Sequence, residues 1–172
     1  TTLFRSKAAA GAVVVISTKD GSVLAASNYP SYDQNLFATQ YSQYSSDPGL
    51  PLLNRALQGL YTPGSTFKPA VAVAALDSGV INRSSTVYCN GVYTYYDDYR
   101  PKCTRHGHSG NIDVITAIKW SCNIFFYDVG RRTTSDVYDA YAYKMGLGTR
   151  TGVEVNEDRK STRLNSSHLT RS

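Results

Sequence analysis

Residues Tyr61-Thr62-Pro63-Gly64-Ser65-Thr66-Phe67-Lys68-Pro69 constrain this chain more than any other stretch. Pro63-Gly64 reads as a loop, and the Ala- and Val-rich run that follows Ser65 carries no turn chemistry. The pattern therefore predicts a helix from Ser65 to Ser78, ended by Gly79. Pro69 is tolerable at the edge of the first turn, where its missing N–H forfeits at most one intrahelical bond. Residues i and i+3 share a helix face, which puts Lys68 within hydrogen-bond reach of the Ser65 hydroxyl. A serine is a poor nucleophile at neutral pH without an adjacent base. A lysine can be that base when burial and a helix N-terminus lower its pKa. The plain alternative is a serine that caps an ordinary helix, with a lysine in the first turn.

A second element follows 56 residues after Ser65, in Trp120-Ser121-Cys122-Asn123. It closes a short amphipathic segment, Asp113 to Lys119, apolar at Val114, Ile115, Ala117 and Ile118. A serine hydroxyl can relay a proton, and an amide two residues on both donates and accepts hydrogen bonds. Taken alone, such a tripeptide is a helix cap or a turn. Together with Ser65 and Lys68 it completes an S-x-x-K then S-x-N order. That order supplies a nucleophile, a base, a proton shuttle and a polar group for a substrate amide, the parts that acyl transfer needs.

On these residues the chain resembles the transpeptidase domain of class B penicillin-binding proteins, enzymes that cross-link bacterial peptidoglycan. The likeness extends to Gly11-Ala12-Val13-Val14-Val15-Ile16, Asp20-Gly21-Ser22-Val23-Leu24-Ala25 and Tyr29-Pro30-Ser31-Tyr32-Asp33. It continues through Leu53-Asn54-Arg55-Ala56, the run Ser121 to Phe126, and Gly146-Leu147-Gly148-Thr149-Arg150-Thr151-Gly152. It covers Ala8 to Glu154 and is most similar to elongation- and sporulation-type enzymes of Gram-positive bacteria. The resemblance implies an α+β fold of the penicillin-binding transpeptidase and serine β-lactamase type, with an antiparallel sheet and a helical subdomain. It also implies Ser65 as the acylated nucleophile, Lys68 as base, Ser121 as proton relay, and Asn123 as a ligand of the substrate amide or of Lys68. The implied ligands are peptidoglycan stem peptides and β-lactam antibiotics, and a glycosyltransferase of the cell-wall machinery is an implied partner. The implied location is the outer face of the bacterial cytoplasmic membrane, by an anchor helix that this chain does not carry, and no cofactor is implied. Three alternatives stay open: a class D-like serine β-lactamase, against which Asn123 argues, a β-lactam sensor domain, and a non-catalytic scaffold.

One departure from the family pattern matters. The third motif, a Lys-Thr/Ser-Gly on a strand beside the site, is expected far beyond Ser121, and Arg150-Thr151-Gly152 comes only 29 residues after it. That tripeptide reads as the glycine-rich turn after a helix, so the third motif and the strands around it are expected to be missing. The chain as it stands is then expected to be inactive. Residues 1–7 read as a junction of uncertain origin, 8–158 as a partial transpeptidase domain, and 159–172 as a non-native or disordered tail.

The tail decides the charge argument. The chain carries 18 Lys and Arg against 13 Asp and Glu, a net +5. All 13 acids precede Arg159, as do 14 of the basic residues, so the body is nearly neutral. Nothing in it forms a phosphate-tracking stripe, and no nucleic-acid partner is expected. A length of 172 residues with 41 % hydrophobic content fits one core, and no apolar run reaches the roughly 18 residues of a membrane span.

The remaining pattern predicts a hairpin, Ala12 to Ser17 and Ser22 to Ser27, joined by Thr18-Lys19-Asp20-Gly21. Asn28 to Leu53 reads as a polar surface connection with short helical turns, and Ser84 to Gly110 as irregular. Helices are expected over Ile124 to Arg131 and over Ser135 to Met145. The latter should be capped by Ser135, present Tyr138, Tyr141, Ala142 and Met145 on one face, and carry Gly146 at its C′ position. Cys122 reads as a small buried hydrophobe. Cys89 and Cys103, in an extracytoplasmic domain, are either free or paired. With His106 and His108 they form a possible metal set whose spacing matches no standard finger, so no metal is expected. The tyrosines between them, Tyr93, Tyr95, Tyr96 and Tyr99, read as loop packing rather than a glycan platform.

Overall fold

Sequence separation already divides this chain. Its hairpin and polar connection can close locally, whereas the two serine motifs need long-range packing. The computed structural model describes residues 8–104 and 107–153. The possible ligand His106, the tail and the first seven residues lie outside the described residues. Two compact units divide the chain, one running through Tyr61 and joined by Gly152 and Val153, the other spanning Thr62 to Thr151.

In the first unit, β1 (Gly11–Ile16) pairs antiparallel with β2 (Val23–Tyr29), with Val14 opposite Ala26 and a register shift between Val15 and Ile16. The turn is closed by its own polar atoms. Ser17 N–H donates to Ser22 O at 2.8 Å, and Asp20 Oδ1 accepts from the Ser22 N–H and hydroxyl. Gly21 supplies the left-handed φ of +77° that a residue with a Cβ rarely adopts. The apolar run of β1 does not alternate, which is the pattern of a strand covered on both faces. In a two-stranded ribbon Val13 to Ile16 therefore stay exposed.

The expected polar connection is more ordered than its composition suggests. A 3₁₀ turn at Gln34–Leu36, capped by the Asp33 carboxylate, leads into α1 (Phe37–Ser46), ten residues long and kinked at Gln40. Its support is aromatic. Tyr32 packs against Phe37 and Tyr44 with ring centroids 5.4 and 5.6 Å apart, and Phe37 meets Tyr41 one turn on. Serine and glutamine hide that i, i+4 spacing in the sequence. The short α2 (Arg55–Gln58) is fixed by Asn28 of β2, which accepts from Ala56 N–H and donates to Asn54 Oδ1.

The second unit is built around α3 (Lys68–Asp77), entered through a 3₁₀ turn at Gly64–Phe67 and left at Gly79, whose φ is +75°. Its small buried residues serve two clusters. Ala72 and Ala75 join the core of Ile81, Ile112, Val114, Ile124, Phe125 and Val129. Ala70 and Ala74 pack with Phe67, Tyr138 and Ala142. The segment expected to be irregular contains β3 (Thr86–Cys89), antiparallel to β4 (Gly110–Asp113). Four residues are too few to show a period, and a mate some twenty residues away leaves no hairpin turn to read. After β4, α4 (Val114–Lys119) is capped by Asp113, whose carboxylate accepts from Thr116 N–H at 2.7 Å. Then come α5 (Asn123–Thr133) and α6 (Ser135–Lys144). The cap position of α6 belongs to Thr134, not Ser135, which is already helical; Thr134 holds a φ of +66° in the link from α5. Tyr138 and Ala142 are buried as expected, Met145 is exposed, and Gly146 stands at C′ with a φ of +84°. Arg150, Thr151 and Gly152 lie in no strand. Among the described residues no helix is long and apolar enough to cross a membrane.

Phe125 has no exposed surface, while Leu24 is 66 % exposed. Phe125→Ala should cost about 3–5 kcal/mol in urea denaturation. Leu24→Ala should stay within about 0.5 kcal/mol. Equal costs would show that the core is placed wrongly.

Candidate active site

The entry into α3 decides what Ser65 can do. Ser65 lies in the 3₁₀ turn, exposed, and its hydroxyl caps neither that turn nor α3. The plain reading of Ser65 as a helix cap therefore fails. Lys68 is the first residue of α3, and its backbone N–H donates to Ser65 O, which fixes the two residues one turn apart.

The lysine head group turns to the second motif. Lys68 Nζ donates to Ser121 O at 2.7 Å, Ser121 Oγ at 2.9 Å and Asn123 Oδ1 at 2.6 Å. The Phe126 ring lies beside it, 5.5 Å from Nζ to the centroid. Three acceptors use the three protons of an ammonium. Among the described residues no hydrogen bond joins Lys68 to the Ser65 hydroxyl, so the direct contact expected from the i, i+3 spacing is not made. Residue spacing fixes the helix face but not the rotamer of a four-carbon side chain, and the acceptors on the second motif win. Burial lowers the Lys68 pKa. The opposing pull of Cys103 and Cys122 acts only if those thiols ionise, and burial pushes Cys122 up to about 12.

The second motif is shaped for this contact. Ser121 adopts a φ of +51°, a left-handed conformation that costs a non-glycine residue roughly 1–2 kcal/mol. It is held there by Ser121 N–H to Ile118 O and by Cys122 N–H to Ala117 O at 2.9 Å. The chain then enters α5 at Asn123, whose amide also donates to Lys102 O at 3.4 Å. Strain of this kind gathers at working sites, where the surroundings over-determine it.

A cavity of about 720 Å³ opens above these groups, with Ser65, Lys68, Asn123, Phe126, Tyr96 and Tyr99 in its wall. Ser121 is not part of that wall and reaches the cavity through Lys68.

Behind the second motif lies a cluster that the spacing argument set aside. Cys89, Cys103, His108 and Cys122 each present one donor atom, all within 4.8 Å of one another. Cys103 Sγ lies 3.9 Å from Cys122 Sγ and 3.5 Å from His108 Nε2, and it accepts the Asn123 N–H at 3.3 Å. All three thiols are free, so the paired form of Cys89 and Cys103 is not adopted. Cys122 is fully buried in the core, as expected of a small hydrophobe, and it also stands in this donor set. The signal was missed because the fourth donor sits inside the second motif, remote from the Cys-His segment.

Residues 11–172 match the family model described as penicillin binding protein transpeptidase domain. The chain is 39 % identical over 159 residues to peptidoglycan D,D-transpeptidase MrdA of Escherichia coli strain K12, covering 86 % of this chain and 24 % of that protein. The chain thus spans about a quarter of the length of that relative, and the likeness is not confined to Gram-positive bacteria. Penicillin-binding protein A of M. tuberculosis, solved as an imipenem acyl-enzyme complex, superposes with a TM-score of 0.74 at 28 % identity, over 92 % of this chain and 40 % of that one. A chain of a peptidoglycan synthase complex, solved for its coordination of polymerization and crosslinking, gives 0.74 at 35 % identity, over 87 % and 27 %. The chain belongs to the penicillin-binding protein transpeptidase family, on its class B, MrdA-like branch.

Proposed function

We propose that this chain carries the acylating half of a peptidoglycan D,D-transpeptidase site. The observation behind the reading is the convergence of Lys68 with Ser121 and Asn123, beneath a cavity to which Ser65 is open. Ser65 Oγ attacks the carbonyl carbon of the penultimate D-Ala of a stem peptide, and its proton passes to Lys68. Lys68 must first release a proton and one of its three acceptors, which burial favours. Backbone N–H groups, that of Ser65 among them, face the developing oxyanion. The C–N bond then breaks, and the terminal D-Ala leaves as an amine protonated through Ser121. Asn123 holds Lys68 and the substrate amide. An amine of a neighbouring stem attacks the ester carbonyl, forms the cross-link and returns the proton to Ser65. A β-lactam enters as the same acyl donor but keeps its leaving amine tethered. The MrdA likeness and the acyl-enzyme and synthase structures support stem peptides and β-lactams as ligands, a cell-wall glycosyltransferase as partner, and the outer face of the cytoplasmic membrane as location.

In the complete transpeptidase domain that carries these residues, fluorescent penicillin should label Ser65 stoichiometrically, and Ser65→Ala should abolish the label. Lys68→Arg should slow acylation by roughly two to four orders of magnitude, because arginine cannot take the serine proton. A mass-spectrometric adduct on another serine, or an arginine variant with near-normal acylation, would refute these roles.

The donor cluster supports a structural metal beside this site. A tetrahedral zinc with Zn–S of about 2.3 Å and Zn–N of about 2.0 Å spaces its sulfurs roughly 3.8 Å apart and sulfur from nitrogen roughly 3.5 Å. The 3.9 and 3.5 Å separations fit those edges. Three sulfurs and one imidazole make a closed set with no open position, which suits a structural role and no step of the reaction. When bound, the ion would hold Cys89, Cys103 and His108 against the second motif. Purified protein should contain about one zinc per chain, and chelation or Cys103→Ser should lower the thermal midpoint. Metal-free protein that melts at the same temperature would exclude the site.

A further inference from the structure

The cavity wall has a second built feature, apart from the reacting groups. Tyr93, Tyr96, Tyr99 and Tyr127 line it together with one guanidinium, that of Arg131. The rings lock one another. Tyr93 stacks on Tyr95 at 6.2 Å and lies edge-on to Tyr96 at 6.3 Å, while Tyr95 and Tyr96 meet edge-on at 4.9 Å. Arg131 is set into this frame. Its Cζ lies 3.9 Å from the Tyr95 ring centroid, its Nε donates to the Tyr93 hydroxyl at 3.2 Å, and its Nη2 donates to Asp128 Oδ1 at 3.0 Å.

These contacts fix the plane of the guanidinium but use two of its five N–H groups. The others have no partner among the described residues. Asp128 does not cancel the charge, because its second oxygen faces Arg132 at 3.5 Å, so two arginines share one carboxylate. Asp98 also lines the cavity, and no ion pair joins it to Arg131 among the described residues. The other cation in the wall, Lys68, is committed to the second motif. Arg131 is thus a rigid, part-exposed cation with unused donors, in the same cavity as Ser65.

On the reading that Ser65 is the nucleophile, we propose that Arg131 is a specificity-determining residue that binds a side-chain carboxylate of the donor peptide, upstream of its D-Ala-D-Ala end. A planar fork with spare N–H groups matches a carboxylate better than a hydroxyl or an amide. Tyrosine faces suit the aliphatic stem that would carry such a group. At about 720 Å³ the cavity has the size that takes a drug-sized ligand, more than two alanine residues fill.

The test uses two synthetic stem peptides ending in D-Ala-D-Ala, one with a free side-chain carboxylate upstream and one with that carboxylate amidated. Acylation of Ser65 in the complete transpeptidase domain should be about ten- to a hundredfold more efficient with the free acid. Arg131→Gln should bring that ratio close to one, and Arg131→Lys should restore part of it. A ratio near one in the wild type, or a preference that survives Arg131→Gln, overturns the proposal. An Arg131→Gln loss that is equal for both peptides also overturns it, since that marks contact with the terminal carboxylate or a folding defect. Penicillin labelling of wild-type Ser65 separates the two levels. With the label present, failure falls on Arg131 alone. With neither label nor peptide acylation, the acyl-transfer reading falls as well.

Discussion

The hydrogen bonds from the Lys68 ammonium to Ser121 and Asn123 hold this site together. They span more than fifty residues of sequence and tie the start of α3 to the start of α5. They also place a cation where burial disfavours it. A lysine whose folded pKa lies below the unfolded value penalises folding at low pH. The penalty is relieved as pH rises through the folded pKa toward 10.5, because the unfolded chain binds the extra proton. Lys68 is only half-buried, so the penalty is modest. Its ammonium gives up a proton more readily than that of an exposed lysine.

The packing around Lys68 explains why the penalty is tolerated. Small alanines on α3 let it serve two apolar clusters at once, which fixes the axis that carries Ser65 and Lys68. The strained Ser121 is held from behind by Cys122, which is fully buried and belongs both to the core and to the Cys-His donor set. Cys103 accepts the Asn123 N–H at the first turn of α5. The second motif is thus gripped from two sides, by the lysine in front and by the sulfur cluster behind.

How much of this was legible in the sequence follows from the range of each interaction. The meeting of Lys68 with Ser121 and Asn123 could be read because acyl-transfer chemistry would need those residue types side by side. The hairpin turn at Asp20-Gly21 and the stops at Gly79 and Gly146 could be read because a single backbone conformation decides them. The β3 and β4 pair could not, since its strands are four residues each and close over a long segment. The helix Phe37–Ser46 was hidden because aromatic contacts with Tyr32 support it, while its composition is that of a loop. The donor neighbours of Cys122 were hidden: a cysteine inside the second motif gives no local sign that they lie fourteen and more residues upstream. The missing Ser65–Lys68 contact shows the converse limit, since a helix face can be deduced while the choice among acceptors needs the fold.

The most direct test of the central claim is a nitrogen-detected NMR titration of the Lys68 side chain in the complete transpeptidase domain. With Lys68 half-buried against Phe126 and bonded to the second motif, its midpoint should fall below the ordinary lysine value of 10.5. A midpoint at or above 10.5 would mean that the acceptors hold the proton more firmly than burial expels it, and Lys68 could not then be the base that activates Ser65.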